Sequence, residues 1–429
     1  MNRILKIGMD VHSTSYTLCA MEPVLGGEDR IFANIQVTSD YRNVIQFIDK
    51  LKEKLGSSDS YSIECGYEAG CLGYSLYHQL TKSGVKCTIL APTTMLTQQG
   101  KRVKTDKRDA VMIAQCLSYG GYHAVHVPAD KDVSVKEYLR MRDDHKVALK
   151  KIKQQINAFC LRQGYFYAGN KWTIKHLNWL KKLVLSDLYR ETLNEYLTSY
   201  EEQTAKIERF DKRIEELAED SDYQENVKKL GCLLGIKIHT ALSLIVETGD
   251  FKRFRKGNTY AAFLGLAPGE SSSGEKISRT GITKAGNSHL RMLLIEAARG
   301  MCRGRIGYKS KVLRSRQDGN PTEVIAYADR GNTRMRSKYY RMIRHGKKNN
   351  VAVAAVAREL ACFIWGLMTN NIAPKDKVTW ETIQNPYIPD GLMRQQQEQA
   401  ASQQAFNEIL LNMQHMILQN NKVDENNEH

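Results

Sequence analysis

Residues 4–13 read ILKIGMDVHS, an apolar run with one lysine that stops on an acid, Asp10. Aliphatic residues over five or six positions, closed by small and polar ones, predict a strand. Four further runs of this kind follow, at 16–21, 31–37, 61–65 and 85–90. Short connections join the first three, as in a meander. Helical patterns at 41–55 and 72–83 separate the later ones, as βαβ units require. The expected product is an α/β domain with a mixed sheet and flanking helices.

From about Ser134 the period changes. Leu149, Ile152, Ile156 and Phe159 recur at three-four spacing in a strongly basic helix. In a second long helix Leu193, Tyr196, Tyr200, Gln203, Ile207, Phe210, Ile214 and Leu217 keep a heptad phase, with Gln203 as the polar break. The pattern fits two core helices of a bundle or a projecting coiled-coil arm that dimerises, and the polar outer faces favour the arm. Residues 230–240, LGCLLGIKIHT, resemble the turn of a helix-hairpin-helix, whose amides would face a DNA phosphate. Lys237 stands where such turns usually have a second glycine. After Met393 the chain is rich in Gln and Asn, which predicts a partly disordered tail with one amphipathic helix at 406–418.

A chain of 429 residues exceeds one ordinary core, and 42% hydrophobic with 26% charged residues is a globular balance. Lys and Arg number 63 against 47 acids, a formal charge of +16 suited to a polyanion such as nucleic acid. No apolar run approaches the roughly 20 residues of a membrane span, and the first residues lack a signal-peptide core. A cytoplasmic protein without a membrane partner is expected. Nine cysteines without a C-x-x-C pair indicate neither a disulfide framework nor a zinc site.

The acids carry the chemistry. Asp10 ends the first strand, Glu64 ends the run at 61–65, and Asp106 and Asp109 fall at an expected helix start in KTDKRDA. Adjacent strand ends lie about 5 Å apart, and residues at i and i+3 share a helix face. Four such carboxylates would repel one another unless a divalent cation relieved the charge. Oxygen ligands favour Mg²⁺ or Mn²⁺, and two such ions can clamp the attacking and leaving oxygens of a phosphodiester. Taken singly, Asp106 could cap its helix and Asp109 face solvent. Asp10 and Glu64 resist that reading, because acids abutting apolar strands rarely lack a partner. Lys101, Arg102, Lys104, Lys107 and Arg108 flank the second pair, as a phosphate-handling site would require, and His12 reads as a loop residue.

Residues 263–291, FLGLAPGESSSGEKISRTGITKAGNSHLR, are dense in small, hydroxylated and basic side chains. Gly274 would admit a close backbone, and Lys276, Arg279, Lys284 and Arg291 could neutralise phosphates around an exposed hydroxyl. A serine attacks only when it is activated or its charge is stabilised, so a plain loop is the alternative. Further on, Arg330, Arg334, Arg336, Lys338, Tyr339, Tyr340, Arg341 and Arg344 interleave charge with aromatics. That run reads as RNA or DNA contact, or as a solvated helix face.

The ordered set GMDVHS, IECGYEAG, KTDKRDA, FLGLAPGESSSG and GITKAGNSHLRMLLIEAARG resembles the DEDD transposases of the IS-one-ten family, relatives of the Piv and MooV invertases. The likeness runs from about residue 5 to 300 and more loosely to 370. It implies a RuvC-like (RNase H-like) mixed-sheet domain at 1–130, a coiled-coil arm at 131–224, a mainly helical transposase domain with a nucleophilic serine at 225–375, and a tail at 376–429. Under it Asp10 matches the first acid, Glu64 the second, and Asp106 and Asp109 the last pair. The family's serine precedes a glycine, which selects Ser273, with Ser272 second. The resemblance further implies a recombinase that cuts and rejoins DNA through a phosphoserine, binds a structured bridge RNA, and assembles as a tetramer of paired dimers. Leu234 and Lys237 depart from the hairpin motif, and 303–350 is longer and more basic than the family pattern. The competing readings are a RuvC-like nuclease of branched DNA and a non-catalytic nucleic-acid-binding protein.

Overall fold

The computed structural model describes residues 3–24, 26–55, 61–70, 72–95, 105–270 and 279–373. Strands β1 (Arg3–Val11), β2 (Ser15–Glu22) and β3 (Arg30–Thr38) form an antiparallel meander. Helix α1 (Tyr41–Leu55), β4 (Tyr61–Glu68), α2 (Ser75–Lys82) and β5 (Lys86–Leu90) then add two parallel strands on the other side of β1. The sheet order is β3-β2-β1-β4-β5. All five expected strands and both helices are present. Their boundaries shift by up to three residues, and the shift that matters is in β4, which continues to Glu68, past Gly66.

Alternation along β1 decides its two faces. Leu5, Ile7 and Met9 are buried in a core completed by Val44, Ile48 and Leu51 of α1 and by Leu76 and Leu80 of α2. Lys6, Gly8 and Asp10 point to the opposite face, which α3 (Asp106–Tyr119) covers. A Cβ on Gly8 would lie 2.1 Å from the Ala110 carbonyl oxygen and 2.3 Å from the Ala114 amide nitrogen. One on Gly66 would lie 2.7 Å from the Thr88 carbonyl oxygen and 2.9 Å from a Leu117 methyl. These glycines let α3 rest directly on the strands.

Helices α4 (Asp130–Arg162), α5 (Ile174–Lys181) and α6 (Asp187–Ala218) follow. At 33 residues α4 is about 50 Å long. It pairs antiparallel with α6, joining Ile156, Phe159 and Cys160 to Leu193, Leu197 and Tyr200. The heptad break Gln203 is buried and donates from Nε2 to the His145 carbonyl oxygen at 2.9 Å, so the polar group is satisfied.

The remaining elements are α7 (Gln224–Gly231), α8 (Ile238–Thr248), α9 (Gly257–Phe263), a hairpin of β6 (Pro268–Glu270) and β7 (Arg279–Ile282), α10 (Ser288–Met301), α11 (Lys311–Gln317), α12 (Thr322–Arg344) and α13 (Asn349–Met368). Between α7 and α8 the turn packs inward. A Cβ on Gly235 would lie 2.4 Å from the Ala297 carbonyl oxygen, and the Leu234 amide donates to Asn332 Oδ1 at 2.8 Å. That amide therefore serves the core, where the hairpin motif would have offered it to a phosphate. Among the described helices α13 alone is long and apolar enough to cross a bilayer. Its Val356, Leu360 and Ile364 are fully buried against neighbouring helices, as in a core helix. The tail, with its expected helix at 406–418, lies outside the described residues.

Candidate active site

The glycine contact that seats α3 also sets its first turn beside Asp10. Asp106 and Asp109 occupy that turn, where the helix dipole favours acids. His12 Nε2 stands 3.3 Å from Asp10 Oδ2 and 4.0 Å from Asp106 Oδ1. Asp10, His12 and Asp106 each offer a ligand atom, all within 4.8 Å of one another. Burial holds the Asp10 carboxyl above its ordinary range; Asp109 and Asp106 push the same way, and His12 opposes them. A desolvated acid crowded by two others is relieved by a cation. Carboxylate oxygens suit Mg²⁺ or Mn²⁺, so the donor set fits the expected metal.

Glu64 is not among these groups. In the parallel ladder Lys6 faces Glu64 and Met9 faces Tyr67. One further step sets Glu68 beside Asp10, on the same face by the period of two. Glu64 lies four residues back along the strand, roughly 13 Å away. There Lys6 and Lys86 clasp its carboxylate, and their hydrogen bonds hold it below the usual range. Glu64 is thus an ion-paired strand residue away from the cluster, whereas the ladder sets Glu68, exposed at the strand's end, abreast of Asp10. His12, read from sequence as a loop residue, stands between two of the acids.

The basic candidates divide. Lys107 and Arg108 are exposed on the first turn of α3, where the Lys107 carbonyl accepts from Asn34 Nδ2 at 3.1 Å. Lys284 is exposed as well, in a left-handed backbone conformation with φ 58°. Arg291 instead donates from Nη1 to the Leu264 carbonyl oxygen at 3.1 Å. Arg336 is buried and donates to the carbonyls of Met301, at 3.0 Å, and Arg305. The last two thus hold backbone carbonyls, Arg336 from a buried position. Tyr339 and Tyr340 donate to Asn349 Oδ1 and the Gly304 carbonyl. Arg334 pairs with Glu359 while its side chain stays 73% exposed. Lys104, Ser271, Ser272, Ser273, Gly274, Lys276 and the side chain of Arg279 lie outside the described residues. The strands bracketing 271–278 pair antiparallel, Pro268 with Ile282 and Glu270 with Arg279.

A second polar cluster went unread in the sequence. His289, near the start of α10, donates from both ring nitrogens, Nδ1 to Glu247 Oε1 at 2.5 Å and Nε2 to Asp143 Oδ2 at 2.9 Å. Arg142 and His239 also face Asp143, at 2.9 and 3.4 Å. Arg140 and Asn287 donate to Glu247 Oε2, each at 2.8 Å. Burial alone would lower the imidazole of His289, but its bonds to Asp143 and Glu247 outweigh it and lift it to about 9. Burial likewise opposes the Glu247 carboxylate, yet His289, Arg140 and Asn287 bring it down to about 2. The two shifts describe one shared interaction and are not summed.

The sign for stability follows. The His289 share is fully present below its ordinary 6.5 and is lost as pH rises through about 9; the Glu247 share is present above 4.5 and lost as pH falls through about 2. Urea unfolding of the wild type should therefore show a decline on the order of 3 kcal/mol as pH climbs past the raised value. His289→Gln should lack that slope. A flat wild-type profile over the same span would mean that the imidazole is not charged in the fold.

Comparison with known proteins adds a separate line of support. Residues 7–166 match a family model for DEDD transposases of the IS110 type, and residues 228–311 match the model described as "Transposase IS116/IS110/IS902 family". A Sinorhizobium fredii protein named "Putative transposase y4qE" is 32% identical over 363 residues, covering 84% of this chain and 87% of its own. The transposase for insertion sequence element IS1533 of Leptospira borgpetersenii is 31% identical over 79% of this chain and 96% of its own. That for IS1111A of Coxiella burnetii is 26% identical over 72% and 79%.

Proposed function

The chain belongs to the IS110/IS116/IS902 family of transposases, and from that premise we propose that it cuts and rejoins DNA at insertion-sequence ends through a serine-linked intermediate, with a structured bridge RNA selecting the DNA. The observation that carries the catalytic half is the convergence of Asp10, His12 and Asp106 beneath the first turn of α3. Strand order and the acids at one end of β1 support a RuvC-like domain at 1–130. The arm then occupies 131–224, the serine-bearing domain 225–375 and the tail 376–429, in a dimer or tetramer.

Asp10, Glu68, Asp106 and Asp109 would hold the divalent ion, preferably Mg²⁺, with His12 beside them. When bound it supplies Lewis-acid polarisation of a phosphate and stabilises the charge that develops there. Ser273 Oγ attacks phosphorus, so an Oγ–P bond forms as the bond from phosphorus to the sugar oxygen breaks. The departing oxygen takes up the proton that the serine gives up. A second strand's hydroxyl then displaces the serine, and the number of phosphodiester bonds is conserved. Exposed Lys107, Arg108 and Lys284 neutralise flanking phosphates.

The test incubates the full chain with the ends of its own element and RNA transcribed from the flanking non-coding DNA. Joined strands are expected in Mg²⁺, none after EDTA, and recovery with Mn²⁺. Free ends alone would convert the reading to a hydrolytic nuclease, and indifference to EDTA would remove the metal. Binding should weaken steeply with salt, because releasing condensed counterions into a saltier bulk gains less entropy.

A further inference from the structure

A carboxylate taken out of water is costly unless each oxygen is met by donors. The side chain of Glu247, at the end of α8, is 1% exposed, and its oxygens receive Arg140 from α4 together with Asn287 and His289 from the segment after β7. The reaction described above makes no use of it. Its partners instead join two parts of the chain that the chemistry must bring into register.

The first part is the base of the β6–β7 hairpin. The amides of Thr283, Lys284 and Asn287 donate to the carbonyls of Ala267, Gly265 and Phe263 at 2.9, 3.1 and 3.1 Å. A Cβ on Gly286 would lie 2.0 Å from the Phe263 carbonyl oxygen, so the two backbones touch. The Asn287 side chain does two jobs, accepting from the Leu290 amide as helix cap and donating to Glu247. The second part is α4, which leaves the acid-bearing sheet directly: the Val125 amide donates to Ile89 of β5, and α4 begins at Asp130. His289 reaches it a second time through Asp143.

We propose that Glu247 is a positioning residue for strand transfer, locking the base of the hairpin that brackets 271–278 onto α4 and so fixing the approach of Ser273 to the phosphate. The proposal rests on the reading of Ser273 as nucleophile. Apolar packing at this place would be non-directional, whereas a carboxylate met by directional donors at both oxygens favours one arrangement of its partners.

The test compares wild type, Glu247→Gln and Asn287→Ser in the complex with element-end DNA and the flanking RNA. Gln keeps the shape of Glu247 but loses its charge and presents an amide to donors; Ser keeps the helix cap but cannot reach Glu247. Expected for Glu247→Gln is a fall of about 10²-fold in the rate of covalent adduct formation at saturating DNA, the scale of a misplacement near 1 Å. Asn287→Ser should lose roughly tenfold by the same argument. The DNA concentration giving half saturation should not move in either variant. Amide hydrogen exchange should quicken at 279–287 and not in the sheet or the arm. An unchanged rate in both variants, or a rate loss matched by weaker DNA binding, overturns the proposal. Should Glu247→Gln fail to fold, Asn287→Ser decides alone, and an unchanged rate there is fatal. If Ser273→Ala retains the adduct, the serine reading fails by itself, and local exchange at 279–287 still reports whether Glu247 anchors the hairpin.

Discussion

Glu68→Gln is expected to slow Mg²⁺-dependent strand cleavage by roughly 10³-fold, about 4 kcal/mol of transition-state stabilisation, while Glu64→Gln leaves the rate within about twofold. The two acids are four residues apart on one face of β4, and the ladder with β1 separates their fates. Glu68 is one step past the Met9–Tyr67 pair and so abreast of Asp10, whereas Glu64 sits opposite Lys6 and is neutralised by it and by Lys86. Loss of Glu64 removes partners from two lysines remote from the cluster. Loss of Glu68 would remove the proposed ligand oxygen beside Asp10, whose carboxyl burial, Asp109 and Asp106 already hold above its ordinary range. Single-turnover cleavage, with DNA binding followed separately by fluorescence anisotropy, reads the difference, and Asp10→Asn gives the scale of complete loss. An inactive Glu64→Gln beside an active Glu68→Gln would refute the site as drawn.

Ser273→Ala should abolish the covalent protein–DNA adduct altogether, and Ser272→Ala should keep it. Without Oγ there is no atom to form the phosphoester, so the loss is one of chemistry rather than of rate. The acids remain in Ser273→Ala, and water can still reach the phosphate. A residue of metal-dependent hydrolysis, down by roughly 10³-fold or more, should then yield free ends in place of joined strands. End-labelled DNA on a denaturing gel shows the adduct, and mass spectrometry of the linked peptide identifies the serine. An adduct surviving in Ser273→Ala would end its role; one lost in Ser272→Ala alone would move the nucleophile by one position.

Much of the fold was readable because period and turn chemistry agree over the first ninety residues. The strand ending at Asp10 and the helix at 41–55 are plain in the alternation of Leu5, Ile7 and Met9 and the stripe of Val44, Ile48 and Leu51. The expected run ends at Cys65, whereas β4 continues through Gly66, whose missing side chain makes room for Leu117 of α3, fifty residues further on. With the strand stopped at Cys65, Glu64 looked terminal, although YEAG offered a second acid three residues on. His12 was legible only as a histidine near an acid, since its partner Asp106 arrives through that same helix. The bonds of Arg291 and Arg336 to the carbonyls of Leu264 and Met301, at helix ends elsewhere in the chain, leave no mark beside the arginines in the sequence. The Glu247 cluster stayed hidden for a like reason, its members being drawn from three helices.

Gln203 is the buried polar side chain of α6 in its seam with α4, its amide fastened to His145. Sliding one helix past the other by a heptad, about 10 Å, would leave that amide and its acceptor facing hydrocarbon. The contact therefore ties the two helices at one register, so that they hold a fixed length together.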